Sequence, residues 1–162
     1  MRFLNVPIFV LCLFILNSCQ KEFENPGDIT ADTTITFKAK IDRVTFSAVL
    51  TGATIRPDSV ISIAGQSGSG EMLVFTVRDS GVHVYDLDMN STSNFSSYTD
   101  ARNFAYASNQ GYQPGDAGGK LAIVVLDRIN RLISGTFDLK VFREDDRTQK
   151  SITEGVFTNI RY

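Results

Sequence analysis

The stretch that decides the fold is residues 133–162, ISGTFDLKVFREDDRTQKSITEGVFTNIRY. In its first part, apolar and polar residues alternate with a period of two, which is typical of a strand with one buried face. The charged run 144–147 predicts a hairpin loop, and residues 152–162 return as the last strand. The predicted buried face of the first of these two strands carries Ile133, Gly135, Phe137, Leu139 and Val141.

The same period recurs upstream of this hairpin. Residues 35–41 and 44–50 alternate on either side of a tight turn at Asp42-Arg43, so the sequence predicts a second hairpin there. No long segment shows the spacing of an amphipathic helix, and no repeat of fixed period is visible. Further strands are predicted at 60–64, 72–77, 82–87 and 121–126, with two short ones near 95–99 and 103–107.

About nine or ten short strands in one domain, residues 33–162, predict an all-β fold. The strands at 72–77 and 121–126 are apolar at successive positions, which indicates that both of their faces are covered. We therefore expect a single antiparallel β-sandwich. A lipocalin-like β-barrel is the alternative, because alternation along the strands is the same in both architectures.

The chain begins with a segment typical of export. Arg2 precedes an apolar run from Phe3 to Leu16, which is too short to span a membrane, since that needs roughly 20 apolar residues. The run predicts a signal helix that is cleaved off, residues 1–18. The following Leu16-Asn17-Ser18-Cys19 resembles a bacterial lipobox, which implies that Cys19 carries palmitate-type acyl chains and anchors the protein in a membrane. The other cysteine, Cys12, lies in the cleaved segment.

Residues 19–32 comprise the lipidated cysteine and a polar stretch with Pro26-Gly27, which predicts a flexible tether. Within it, residues 21–24, KEFE, resemble the acidic export signals of surface-exposed lipoproteins. We expect an outer-membrane lipoprotein of the cell envelope. Alternatively, KEFE is a charged linker without an export signal, so the sequence leaves open whether the protein faces the periplasm or the cell exterior. The oligomeric state also stays open.

Composition excludes several classes of function. Removing the signal leaves 15 basic and 18 acidic residues, which argues against nucleic-acid binding. The only histidine, His83, is not accompanied by a nucleophile elbow, so we expect no enzyme. A metal site of the zinc type needs several histidine or cysteine ligands, and one histidine cannot supply them. We expect no cofactor. A calcium-loop pattern begins at Asp86, Asp88 and Asn90, but glycine and glutamate are absent from its later positions, and calcium binding there stays open.

Aromatic residues in the irregular stretch 89–119 are the candidate binding residues. Tyrosine on loops can stack against sugars or anchor a protein partner. The candidates are Tyr98, Tyr106 and Tyr112, and the partners that they suggest are an envelope protein or a glycan.

Three segments together resemble a family. Residues 81–87, GVHVYDL, look like a "G-x-Y-x-L" strand, residues 133–137, ISGTF, like an "isGtF" strand, and residues 152–157, ITEGVF, like an "iTnGsF" strand. Glu154 stands where that pattern has a turn-type Asn or Asp. The chain is in these respects similar to a group of uncharacterised Bacteroidota lipoproteins, small all-β domains behind a lipobox. The resemblance implies the fold and the address, and it carries no assigned site residues.

We therefore expect a lipid-anchored, non-catalytic binding or accessory module of the cell envelope. A lipocalin-like carrier of a small lipophilic ligand is the alternative, and a hydrolase is the third possibility. An apolar cavity inside the domain would favour the carrier.

Overall fold

The computed structural model describes residues 34–78 and 81–162, and the strands in them form one antiparallel sheet. The described residues contain no helix, and hence none that could span a membrane. The predicted signal segment, Cys19 and the predicted tether lie outside the described residues. The strands are β1 (Thr36–Ile41), β2 (Val44–Ile55), β3 (Val60–Ser67), β4 (Met72–Arg78), β5 (His83–Leu87), β6 (Phe95–Thr99), β7 (Ala105–Ala107), β8 (Gly118–Asp127), β9 (Leu132–Arg143) and β10 (Thr148–Arg161).

The sheet closes on itself into a barrel of eight strands. Strand β10 pairs with β1 along one edge and with β9 along the other, which completes the ring β10-β1-β2-β3-β4-β6-β7-β9. Strands β8 and β5 extend the sheet from the free part of the β9 edge, so β5 is an edge strand. The all-β class is confirmed, and the barrel forms rather than the sandwich.

The preference for a sandwich failed because two strands are covered on one face only. Met72 in β4 is 39% exposed, and Val124 in β8 is 54% exposed. Their apolar side chains lie on the outer surface, while Leu73 and Leu121 on the same strands are fully buried. Apolar residues on an outer face are common in soluble proteins, so an apolar run alone does not indicate two packed faces.

The barrel interior is filled by phenylalanine rings. Phe37 lies in the middle of them, with ring-centroid distances of 5.5 Å to Phe137, 6.3 Å to Phe157 and 6.5 Å to Phe75. The rings of Phe75 and Phe137 are 4.7 Å apart, and Phe46 meets Phe37 edge-on at 6.1 Å. Packing of this kind adds to the hydrophobic stabilisation that the burial of each ring contributes.

Glycines opposite two of these rings make room for them. In the β9–β10 pairing, Gly155 faces Phe137 and Gly135 faces Phe157. A Cβ atom on either glycine would collide with the ring on the other strand. The two glycine–phenylalanine pairs therefore interlock the strands, and each ring occupies the space that a side chain on the facing strand would need.

Four connections lie at one end of the barrel, which we call the rim: residues 42–43, 68–71, 100–104 and 144–147. Asp42 and Arg43 both have positive φ, 49° and 70°, as the two central residues of a type I′ hairpin turn require, and the predicted turn is confirmed. The first described strand starts at Thr36, at the opposite end.

Candidate functional site

Two of the three candidate tyrosines, Tyr98 and Tyr106, are buried. They lie opposite each other on β6 and β7 and face the core, with ring centroids 5.9 Å apart. The Tyr98 hydroxyl donates a hydrogen bond of 2.6 Å to Glu71 Oε1, and burial together with this carboxylate raises the pKa of Tyr98. Neither ring is available as an open stacking surface.

Tyr112 is the candidate that reaches the surface, with 58% of the residue exposed. Its ring meets Phe142 of β9 nearly at right angles, with 5.8 Å between centroids. The guanidinium of Arg147 lies over the Tyr112 ring, 5.1 Å from its centroid, and the hydroxyl donates to the carbonyl of Glu144 at 3.4 Å. A cation over the face of a tyrosine ring is an attractive contact, because the ring face carries negative charge density.

A tight turn holds Tyr112 in place. Asp116 Oδ2 accepts hydrogen bonds from the backbone N–H groups of both Tyr112 and Gln113, each at 2.9 Å. Gln149 of β10 donates its side-chain N–H to the carbonyl groups of Gly115 and Asp116, which fixes the turn to the barrel. The loop is therefore ordered before any ligand arrives, which lowers the entropy cost of binding.

An open pocket of about 420 Å³ lies beside the Tyr112 ring. It falls within the size range of small-molecule sites, which is roughly 300–1,000 Å³. Phe142 contributes an apolar surface, Arg147 and Gln113 can donate hydrogen bonds, and the carboxylate of Asp116 can accept them. The pocket lining is Tyr112, Gln113, Asp116, Phe142 and Arg147. We call it the Tyr112 pocket.

A second aromatic–arginine cluster lies on the same rim. Phe104 has the guanidinium of Arg143 at 3.9 Å and that of Arg102 at 4.9 Å from its ring centroid. The Arg143 side chain is only 14% exposed and pairs with Asp146 at 3.2 Å. A hydrogen bond from the Thr148 hydroxyl is the main cause that lowers the pKa of Asp146. This cluster ties the β9–β10 hairpin to the β6–β7 turn.

Sequence reasoning missed the arginines and named Tyr112 as one of three candidates. Arg143 and Arg147 flank a charged hairpin, which indicates a solvated turn and nothing about a neighbouring loop. Their partners, Phe104 and Tyr112, come from connections distant in sequence, so only the barrel brings them together. Two arginines within five residues were the available signal.

Residues 33–161 match the model of a family described as a domain of unknown function, DUF6252. The chain belongs to this family. No curated protein and no solved structure shows a significant match to it.

The remaining candidates in the DUF6252 domain do not line the Tyr112 pocket. His83 is exposed on β5, and its ring meets Tyr85 edge-on at 5.2 Å. Asp86 pairs with Lys120 at 2.8 Å, and Asp88 Oδ1 accepts the backbone N–H of Asn90 at 3.2 Å. Within residues 34–78 and 81–162, no three His, Cys, Asp or Glu side chains are grouped so that they could hold a metal ion.

Proposed function

We propose that this protein is a lipid-anchored envelope lipoprotein that acts as a non-catalytic binding module through the Tyr112 pocket. The observation that carries the proposal is an exposed tyrosine ring, held by a hydrogen-bonded turn and a buried Phe142, with a cation beside it. Aromatic anchors that are rigid before binding are typical of recognition surfaces. In this proposal the barrel stabilises the domain, and the loop that carries Tyr112, together with the β9–β10 hairpin, contacts the bound molecule.

The anchor part of the proposal rests on the sequence around Cys19. Acyl chains at this residue would hold the protein in the outer membrane, since each buried methylene contributes about 0.8 kcal/mol. The first described strand, β1, starts at the end of the barrel opposite the rim. We expect Cys19→Ser to move the protein from the detergent phase to the aqueous phase in a partition assay. A variant that stays in the detergent phase would contradict the anchor.

The binding part can be tested by crosslinking intact cells and purifying the protein with whatever is attached. We expect Tyr112→Ala to lose a partner that the unaltered protein retains. Ile129→Ala is the matched control, because Ile129 is 93% exposed in the turn between β8 and β9, at the other end of the barrel. Equal recovery of every bound molecule by both variants would count against the Tyr112 pocket.

The carrier alternative would require space inside the barrel. The five phenylalanine rings that fill this interior would have to separate, which costs the contacts that stabilise the fold. The surface pocket is therefore the better candidate for ligand binding, and the hydrolase stays the third possibility, with His83 as its only histidine.

A further inference from the structure

We infer that the Tyr112 pocket binds a neutral carbohydrate, an inference that rests on the proposed binding function and names its ligand class. Three features point in this direction: the exposed tyrosine ring, the mixed hydrogen-bonding groups around it, and their balanced charge.

The ring supplies the first feature. A pyranose sugar carries C–H groups on the face of its ring, and these are attracted to the negative face of an aromatic side chain. Tyr112 is exposed, and its orientation is fixed by Phe142 on one side and Arg147 on another. A fixed, partly exposed tyrosine provides contact area at a low cost in conformational entropy.

The hydrogen-bonding groups supply the second feature. Each sugar hydroxyl both donates and accepts, so a site for it needs donors and acceptors close together. Arg147 and Gln113 offer N–H donors, and Asp116 offers a carboxylate whose second oxygen, Oδ1, is not used by the two backbone bonds to Oδ2. The planar guanidinium of Arg147 can donate to two neighbouring oxygen atoms at once.

The charge supplies the third feature. Arg147 is the one cation in the pocket lining and Asp116 the one anion, so the pocket itself is neutral. Glu144 and Asp145 lie on the adjacent hairpin tip and add negative charge nearby. Arg143, the other cation of this hairpin, already pairs with Asp145 at 3.8 Å and with Asp146 at 3.2 Å. The hairpin 143–147 therefore keeps a net negative charge, which would repel an acidic sugar but not a neutral one.

A protein partner fits the pocket less well. Stable protein interfaces bury about 800 Å² on each side around an apolar centre. The exposed surroundings of Tyr112 are instead polar, with Gln113, Asp116 and Arg147 around a single ring. We therefore treat a protein partner as an outcome of the test.

The test is a titration of the full chain carrying Cys19→Ser, so that it is not acylated, followed by two-dimensional amide NMR. The probes are hexasaccharides of glucose (β-1,4, β-1,3 and α-1,4 linked) and of mannose, with an oligogalacturonate as the acidic comparison. We expect at least one neutral probe to bind with a dissociation constant below about 1 mM. The amide signals of Tyr112 and Gln113, whose N–H groups bond Asp116, should shift most.

Variants localise the binding. We expect Tyr112→Ala to weaken it at least tenfold and Tyr112→Phe to keep it, because stacking needs the ring and not the hydroxyl. Arg147→Ala should also weaken it, while Ile129→Ala should leave it unchanged. The NMR spectrum of each variant shows whether the barrel is intact.

Several results would overturn the inference. Failure of every neutral probe to bind would remove it, as would tight, salt-sensitive binding of the oligogalacturonate alone. Sugar binding that is unaffected by Tyr112→Ala would place the site elsewhere. If no sugar binds while crosslinking recovers a protein that depends on Tyr112, the ligand class is wrong and the binding function remains.

Discussion

Gly155 lies under the ring of Phe137, and replacing this glycine with alanine tests the interlocked packing of β9 and β10. The added methyl group would collide with three atoms of the ring, Cγ, Cδ2 and Cε2. The ring has little room to move, since the rings of Phe75 and Phe37 are 4.7 Å and 5.5 Å away on other sides. Overpacking of this kind typically costs about 1–3 kcal/mol.

A smaller effect opposes this cost. Alanine restricts the unfolded chain more than glycine does, which stabilises a protein by about 0.4–1 kcal/mol where the backbone allows it. Gly155 does not have positive φ, so its backbone accepts alanine. The net loss should be about 1–2 kcal/mol, and with a denaturant slope of about 1–3 kcal/mol per molar urea the midpoint should fall by about 1 M.

Gly52 provides the matched control. It lies in β2 without positive φ, and a Cβ there would have nothing within 4 Å. Gly52→Ala should therefore stabilise the protein, by about 0.5–1 kcal/mol. Urea unfolding of both variants, followed by circular dichroism, measures the difference in sign. The reasoning fails if both substitutions shift the midpoint in the same direction.

A double-mutant cycle identifies the ring as the cause. In a Phe137→Leu background the flat ring is gone, and Gly155→Ala should cost less than it does alone. Residues in contact show coupling energies of about 0.5–3 kcal/mol. Additive effects of the two substitutions would mean that the collision with Phe137 does not determine the loss.

The other predictions concern Glu154 in β10, Tyr98 in β6 and Asp100 at the rim. Glu154→Asn should stabilise the protein by a few tenths to about 1 kcal/mol, because Glu154 has a φ of 53°, which asparagine tolerates better. The exposed ion pair that Glu154 makes with Lys40 contributes little to stability, so its loss costs little. A lower thermal midpoint for the variant would contradict this. Tyr98→Phe should cost about 1–2 kcal/mol in urea unfolding through the lost bond to Glu71, and no cost would show that this buried hydroxyl is not structural. Burial raises the pKa of Asp100, but hydrogen bonds from backbone N–H groups outweigh it, so the pKa is lower in the folded protein than in the unfolded chain. The ionised Asp100 therefore stabilises the fold above about pH 4, the pKa of an unfolded aspartate. This stabilisation is lost as the pH falls through the lower pKa of the folded state. Thermal unfolding of Asp100→Asn between pH 7 and acid should therefore show a smaller pH dependence than the unaltered protein, and equal slopes would refute it.

The strands were largely predictable because their signal is local. Alternation identified nearly every one, and Asp42-Arg43 gave the correct turn. Closure of the barrel was not predictable, because it depends on β10 being paired at both edges, which no local pattern shows. The position of β5 beside β8 is likewise a long-range choice, since a strand that follows β4 in sequence could have paired with β4.

The site was only partly predictable for a related reason. Tyr98 and Tyr106 carry the same residue type as Tyr112 and lie in the same irregular stretch. Tyr98 and Tyr106 differ from Tyr112 in that they lie on the core-facing side of β6 and β7. These strands have five and three residues, and alternation over so few residues is too short to predict which side is buried. Tyr112 is exposed because it lies outside the strands, in a turn that Asp116 holds.

The position of the segments that resemble known lipoproteins explains why the resemblance says so little about activity: they lie in strands and not in the Tyr112 pocket. ISGTF and ITEGVF each contain one glycine and one phenylalanine at a spacing of two, and β9 and β10 pair so that each glycine faces the other strand's ring. Two of the three segments that carry the resemblance therefore belong to the interlocked β9–β10 pair of the barrel. The Tyr112 pocket uses residues outside both segments, on loops that such a core can support with different sequences. Members of DUF6252 that keep this core should be able to differ in ligand, and exchanging residues 111–116 between two of them should transfer the binding preference without unfolding the barrel. A chimera that folds but keeps its original preference would place recognition elsewhere on the domain.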